Sequence, residues 1–182
     1  MKLAIIIFVV LLIASCASIE SQFSSQTSCR IVDGLVTFTD INSSVRSRYR
    51  YITINSQLLR FTFLSPFSRP ALVLEFSESE LQSVSINGEE ANREMLGSML
   101  SDYSITLPNL DFLTSWVVGS PHTEDFELIS QSTEQLNFNE IGWRIFSTFS
   151  SENTIPVRNI FEYKGTIIEL ETQNIRLTCD GV

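Results

Sequence analysis

From Arg30 onward the chain alternates between apolar and polar side chains with a period of two, the signature of strands with one face buried. Leu35, Thr37 and Thr39 alternate with Val36 and Phe38. Val45, Tyr49 and Tyr51 share one face while Arg46, Arg48 and Arg50 occupy the other, and the stripes Leu59/Phe61/Phe63 and Leu72/Leu74/Phe76 follow. The run Leu81 to Ile86 ends at Asn87-Gly88, a dipeptide suited to a tight hairpin turn. The same reading predicts strands at 125–130, 134–139, 142–150, 156–164 and 166–178. Short gaps between successive strands make neighbours antiparallel, so the expected fold is a large antiparallel sheet curled toward a barrel.

Two stretches break the alternation. After Asn92, a suitable N-cap, Met95, Leu96, Met99, Leu100 and Tyr103 fall at helical spacing. Pro108 then opens a second segment in which Leu110, Leu113, Trp116 and Val117 share a face, with Gly119 and Pro121 as stop signals. A helical pair inserted into a curled sheet either completes a plain core or covers a cavity. With 182 residues, 43% apolar and 18% charged, the chain suffices for one such domain.

The first residues have a different logic. Met1-Lys2 is followed by an unbroken apolar run from Leu3 to Ile13 and then by Ala14-Ser15-Cys16. The run is too short for a permanent membrane span and has the layout of a secretory signal peptide. Small residues directly before a cysteine resemble a bacterial lipobox, which implies removal of residues 1–15 and acylation of Cys16. The alternative is an ordinary signal peptide with Cys16 discarded inside it. In the lipobox pattern an Asp after the cysteine goes with retention in the inner membrane, and Ala17 stands here, which implies an outer-membrane protein facing the periplasm. Residues 17–28 are Ser/Gln-rich and without periodicity, a flexible tether whose typical span is roughly 20 Å. The expected organisation is therefore a signal peptide (1–15), a lipidated cysteine with its tether (16–28) and one folded domain (29–182). In an oxidising compartment Cys29 and Cys179 are expected to form a disulfide, which in the loop-entropy view stabilises by about 4–5 kcal/mol. Two free thiols or pairing with another chain are the alternatives.

Catalytic chemistry is not indicated. The 12 basic side chains stand against 21 acidic ones, a formal charge of −9, which argues against a nucleic-acid partner. The one histidine, His122, lies in a polar loop and is read as solvent-facing, without companions for a metal site. No nucleophile elbow, phosphate-binding loop or Cys-x-x-Cys is present. Glu89-Glu90 and Glu124-Asp125 fall in turn-like stretches and read as solvated surface. The chain is accordingly expected not to be an enzyme and to need no metal or cofactor.

Taken in order, the lipobox, the turn Leu64-Ser65-Pro66-Phe67-Ser68, the Met/Leu helix, Leu107-Pro108-Asn109-Leu110, Trp116-Val117-Val118-Gly119-Ser120-Pro121, Trp143-Arg144-Ile145 and Ile155-Pro156-Val157 resemble the LolB family of outer-membrane lipoprotein receptors. The resemblance runs to about Leu177 and rests on order and spacing. It implies a mainly β fold, an unclosed antiparallel β-barrel (half-barrel) covered by a short helical lid with an apolar cavity between. It also implies a monomer that accepts lipoproteins from a LolA-like periplasmic carrier, holds their acyl chains, and inserts them into outer-membrane lipid without covalent chemistry. The lining expected on this basis is Tyr49, Tyr51, Phe61, Phe63, Leu72, Leu74, Met95, Leu96, Met99, Leu113, Trp116, Ile145 and Phe149, each of which plain core packing would explain equally well. Pro66, Phe67 and Ser68 match a protruding family loop that engages the membrane, with Phe67 at a position the family fills with leucine. The Cys29/Cys179 pair and the acidic charge depart from the family pattern. Arg46, Arg48, Arg50 and Arg60 on one outer face are expected either to bind an acidic carrier surface or lipid phosphates, or only to keep the sheet soluble. A lipocalin-like carrier of a small apolar ligand and a ligand-free accessory lipoprotein are the competing readings.

Overall fold

A computed structural model describes residues 29–55, 57–64, 70–101, 108–151 and 154–178. Strands β1 (Cys29–Thr39), β2 (Ser44–Ile54), β3 (Gln57–Leu64), β4 (Pro70–Ser77), β5 (Glu80–Ile86) and β6 (Glu89–Ala91) form one antiparallel meander. Helix α1 (Arg93–Ser101), a 3-10 turn (Leu110–Phe112) and the single-turn helix α2 (Leu113–Trp116) follow. Strands β7 (Glu127–Gln131), β8 (Gln135–Glu140), β9 (Trp143–Phe149), β10 (Pro156–Tyr163) and β11 (Thr166–Arg176) form the second meander.

The two meanders join where β1 pairs with β11, giving one 11-stranded sheet in the order β6-β5-β4-β3-β2-β1-β11-β10-β9-β8-β7. β6 and β7 are its two edges and do not pair, so the curl is unclosed, as the family resemblance implies. Of the connection between these opposite edges, the described helical residues Leu96, Leu110, Leu113, Trp116 and Val117 are buried against the concave face.

Register shifts interrupt six of the strand pairings, and such bulges bend strands and increase twist. One lies at Asp33/Gly34. A methyl group on Gly34 would stand 2.2 Å from the Glu171 carbonyl and 2.6 Å from the Tyr49 ring, so glycine lets Tyr49 lie flat over β1. Another shift, in β2–β3, turns Leu58 into the core in place of the predicted Leu59. At the hairpin tips, Asn87-Gly88, Ile141-Gly142 and Lys164-Gly165 all have positive φ at both residues, the turn form that matches the twist of paired strands.

The interior is lined by alternate residues of the sheet: Val32 and Val36 of β1, Tyr49 and Tyr51 of β2, Phe61 of β3, Leu72 and Leu74 of β4, Ile145 of β9, Phe161 of β10, and Ile168 and Leu170 of β11. Tyr49, Tyr51 and Phe61 stack with centroids 5.5–6.0 Å apart. The outer face is ionic. Arg46 pairs with Glu171 (3.3 Å), Arg60 with Glu75 (2.8 Å), Arg158 with Glu169 (2.6 Å), and Asp33 bridges Arg50 (2.6 Å) and Arg176 (3.0 Å). The arginines singled out as a cationic docking face are thus, at 46, 50 and 60, ion-paired with carboxylates of the same sheet, Arg50 sharing Asp33 with Arg176.

Candidate functional site: a plugged apolar concavity

Pro108, Leu110, Leu113, Trp116 and Val117 are all buried, so the second helical segment lies with its predicted apolar stripe inward and acts as a plug. Its start is organised locally: Asn109 Oδ1 accepts from the Asp111 amide (3.3 Å), and Asp111 Oδ1 accepts from the Leu81 amide of β5 (2.8 Å). Its far end is stopped by Gly119, at φ +74. A methyl there would meet Phe149 Cζ at 2.6 Å and Pro156 Cγ at 2.8 Å, so only glycine permits this approach to β9 and β10.

The far end is latched by Glu140, at the end of β8 and 1% exposed. Its Oε2 accepts from Trp116 Nε1 (2.6 Å) and the His122 amide (3.0 Å), and its Oε1 from the amide (2.6 Å) and hydroxyl (2.7 Å) of Thr123. Burial alone would raise the carboxyl's pKa, but these hydrogen bonds outweigh it and hold the group below the ordinary range. Asn159 of β10 adds a bond from Nδ2 to the Val117 carbonyl (3.0 Å). His122 is not simply solvent-facing: its ring packs 4.5 Å from that of Phe112 and its Nδ1 lies 3.3 Å from Ser115 Oγ, because the Glu140 bond draws the loop onto the plug.

Beneath the plug is a cavity of about 20 Å³ lined by Val36, Phe38, Phe61, Phe63, Leu74, Leu110, Leu113, Phe161, Ile168 and Leu170. Every lining residue is apolar. The volume would admit one water at most, and the walls present nothing to bind it, so the space is dry. The concavity is therefore occupied by the plug's own Leu110 and Leu113.

Of the residues expected to line the cavity, Phe61, Phe63, Leu74 and Leu113 do so. Tyr49, Tyr51, Leu72, Leu96, Trp116 and Ile145 are buried in the surrounding core, and Phe149 is half-buried against Gly119. Met95 is 54% exposed, on the outward side of α1, because the adjacent Leu96 takes the inward position. Val36, Phe38, Leu110, Phe161, Ile168 and Leu170 line the cavity without having been singled out for it, although the alternation that places Val36 and Phe38 along β1 was visible. Cys16, Pro66, Phe67, Ser68, Cys179 and the side chain of Met99 lie outside the described residues. Cys29 is disulfide-bonded.

A few polar groups interrupt the concave wall. Tyr49 donates to Thr172 Oγ1 (3.2 Å), whose hydroxyl donates to the Pro156 carbonyl (2.9 Å). Burial is the main cause raising the Tyr49 phenol to about 12, so it is neutral at physiological pH. Tyr51 Oη, Ser147 Oγ and Asn159 Oδ1 have no hydrogen-bond partner among the described residues, and Ser147 and Asn159 face each other across β9–β10. Among the described residues there is no cluster suited to a metal ion and no helix long and apolar enough to cross a membrane.

No protein-family model and no curated protein matches the chain. Among solved structures it is similar to the LolA-superfamily protein NE2245 from Nitrosomonas europaea (11% identity, 85% of this chain and 88% of that one, TM-score 0.37). It is also similar to MucB in complex with MucA(peri) (12% identity, 84% of this chain and 50% of that one, TM-score 0.36) and to MucB in the Pseudomonas aeruginosa MucA/MucB complex (10%, 81% and 51%, TM-score 0.36). The chain spans about half the length of these MucB chains. A LolA-superfamily protein thus stands among its structural neighbours, and TM-scores this low assign neither a family nor a function.

Proposed function

We propose that this chain is a lipid-anchored receptor of the outer membrane that takes acylated proteins from a LolA-like periplasmic carrier and passes them into the bilayer. The observation that carries the reading is the wholly apolar junction between plug and concave sheet, filled by Leu110 and Leu113. Each methylene of an acyl chain gains about 0.8 kcal/mol on leaving water, so a lipid tail moves only toward surroundings at least as apolar. In this mechanism the acyl chain takes the place of Leu110 and Leu113. The plug is unequally attached, which sets how it yields. The 3-10 turn is tied to β5 through Asp111, whereas the Trp116 end is held by the four bonds of Glu140 and by Asn159. The 3-10 turn swings outward and the Trp116 end acts as the pivot. No bond is made or broken.

Cys16 supplies the anchor and Phe67 a membrane-engaging tip. Cys179 is the partner we assign to Cys29. The register Ile31↔Arg176, carried two residues further, sets position 178 opposite Cys29, and Cys16 is taken up by acylation. The cavity's small volume favours one other reading, a ligand-free accessory lipoprotein with a closed core. Incubating the chain with radiolabelled lipoprotein bound to its carrier, then with liposomes, separates the two. The receptor reading requires label to pass to the chain and on to the liposomes. Phe67→Asp is expected to accept label and fail to deliver it. Absence of label on the parent chain would refute the proposal.

A further inference from the structure

At one end of the sheet, three consecutive hairpin tips lie side by side: Asp40–Ser43 between β1 and β2, Lys164-Gly165 between β10 and β11, and Ile141-Gly142 between β8 and β9. Ile41 is 85% exposed and Ile141 is 55% exposed. Ile41 is firmly held. Asp40 Oδ1 accepts from the amides of Asn42 (2.6 Å) and Ser43 (2.8 Å), and the Asp40 amide donates to the Ser43 carbonyl (2.9 Å), which fixes the turn that presents Ile41. A methyl on Gly165 would stand 3.4 Å from Ile41 Cγ1, so adjacent tips abut.

Ile141 sits at φ +46, a left-handed conformation that is costly for a β-branched side chain and cheap for Asn or Gly. The matching position of the β5–β6 tip is Asn87, at φ +53. An exposed isoleucine in a strained turn contributes nothing to the core, so folding offers no reason for it. Beside it, Lys164 Nζ stands 5.0 Å from the centroid of the Tyr163 ring, which stacks on Trp143 at 5.1 Å. A shallow depression of about 350 Å³ lies here, lined by Arg144, Tyr163, Lys164 and one carboxylate, Glu162, among others. Branched apolar tips flanked by cations and a tyrosine match the layering of a bilayer surface, with hydrocarbon outermost and phosphate just behind.

We propose that these tips form a lipid-surface contact, in which Ile41 and Ile141 enter the acyl region of a phospholipid bilayer while Lys164 and Arg144 face its phosphates. The inference rests on the reading above of a membrane-anchored chain. Cys29 begins β1 at the end opposite the tips, and the 11 residues of β1 run about 36 Å. Residues 17–28 reach about 40 Å or slightly more when extended, so anchor and tips can meet the same membrane.

The test uses the full lipidated chain in phosphatidylethanolamine/phosphatidylglycerol vesicles whose acyl chains are brominated to quench tryptophan. Trp116 and Trp143 are buried, so bromine quenches them little, and their emission, measured in the parent chain, is subtracted. In Ile41→Trp and Ile141→Trp the new fluorescence is expected to fall about twofold or more, as for side chains placed 5–10 Å deep. In Leu177→Trp, at the opposite end, it is expected to be unchanged. Ile141→Gly in the Ile41→Trp background is expected to raise Tm by removing the strained conformation, and to reduce quenching. Sedimentation with vesicles but equal quenching at 41, 141 and 177 overturns the lipid contact and leaves the anchor standing. Failure to sediment overturns both. Unaltered quenching in Ile141→Gly removes Ile141 from the contact.

Discussion

Replacing Glu140 with glutamine keeps the shape of the side chain and removes its charge. The carboxylate accepts two hydrogen bonds on each oxygen, whereas the amide keeps one accepting oxygen and turns its NH₂ toward the other pair of donors. Either orientation forfeits two charge-assisted bonds and strands N–H donors, those of Trp116 and His122 together or that of Thr123. With hydrogen bonds to charged groups contributing about 1.5–3 kcal/mol each and incomplete additivity, the expected loss at pH 7 is about 3 kcal/mol, or about 6–12 °C in Tm. The pH dependence gives a second signature. Because the folded-state pKa of Glu140 lies below its unfolded value near 4.5, the carboxylate's contribution is fully present above about pH 4.5 and is lost as pH falls through the lowered folded value. The gap between parent and Glu140→Gln should therefore narrow in acid. Asp40 and Glu75 also titrate low but are common to both proteins and cancel in the difference. Urea denaturation from pH 7 to pH 3 measures both effects. A gap under about 0.5 kcal/mol at pH 7, or one that stays constant down to pH 3, would refute the latch, since loss of even one such bond exceeds it.

Other substitutions probe the plug from different sides. Gly119→Ala forces a methyl against Phe149 and Pro156 at a positive φ and should cost about 2–4 kcal/mol in urea denaturation; a near-neutral result would mean that this end of the plug packs loosely. Leu113→Ala should cost about 2–4 kcal/mol yet bind a fluorescent fatty acid more tightly, because it vacates the space that an acyl chain must take. Weaker binding would make Leu113 part of the wall and not of the plug. Tyr51→Phe removes a buried hydroxyl without a partner among the described residues and should leave stability unchanged or raise it by up to about 1 kcal/mol. A clear loss of stability in the denaturation curve would contradict that.

Where local pattern determines structure, the sequence was readable. The run 142–150 became Trp143–Phe149 and 156–164 became Pro156–Tyr163, since a half-exposed strand must alternate. Asn92 does cap α1, accepting from the Met95 amide at 2.8 Å, and Leu110, Leu113, Trp116 and Val117 do share a buried face. What local pattern does not contain is the direction of the traverse between the sheet's edges. Met95 and Leu96 are adjacent apolar residues on one helix, and only the path of α1 across the sheet decides that Leu96 is the one buried. The Glu140 latch is illegible for the same reason. Its donors come from residues 116, 122 and 123, and nothing around position 140 marks a carboxylate as buried. His122 does lie in a loop, but it read as solvent-facing because nothing in the local sequence shows its packing on Phe112 and Ser115. Ile141, written beside a glycine, reads as an ordinary turn until its φ is known.

We propose that acyl chains occupy the place now held by Leu110 and Leu113. Site-specific photo-crosslinking tests it most directly, with a benzophenone side chain introduced in turn at Phe63, at Leu113 and, as an outward control, at Met95, and with lipoprotein delivered on its carrier. Adducts to the acyl chains are expected from positions 63 and 113 and none above background from 95. Adducts absent from 63 and 113, or equally frequent at 95, would contradict it.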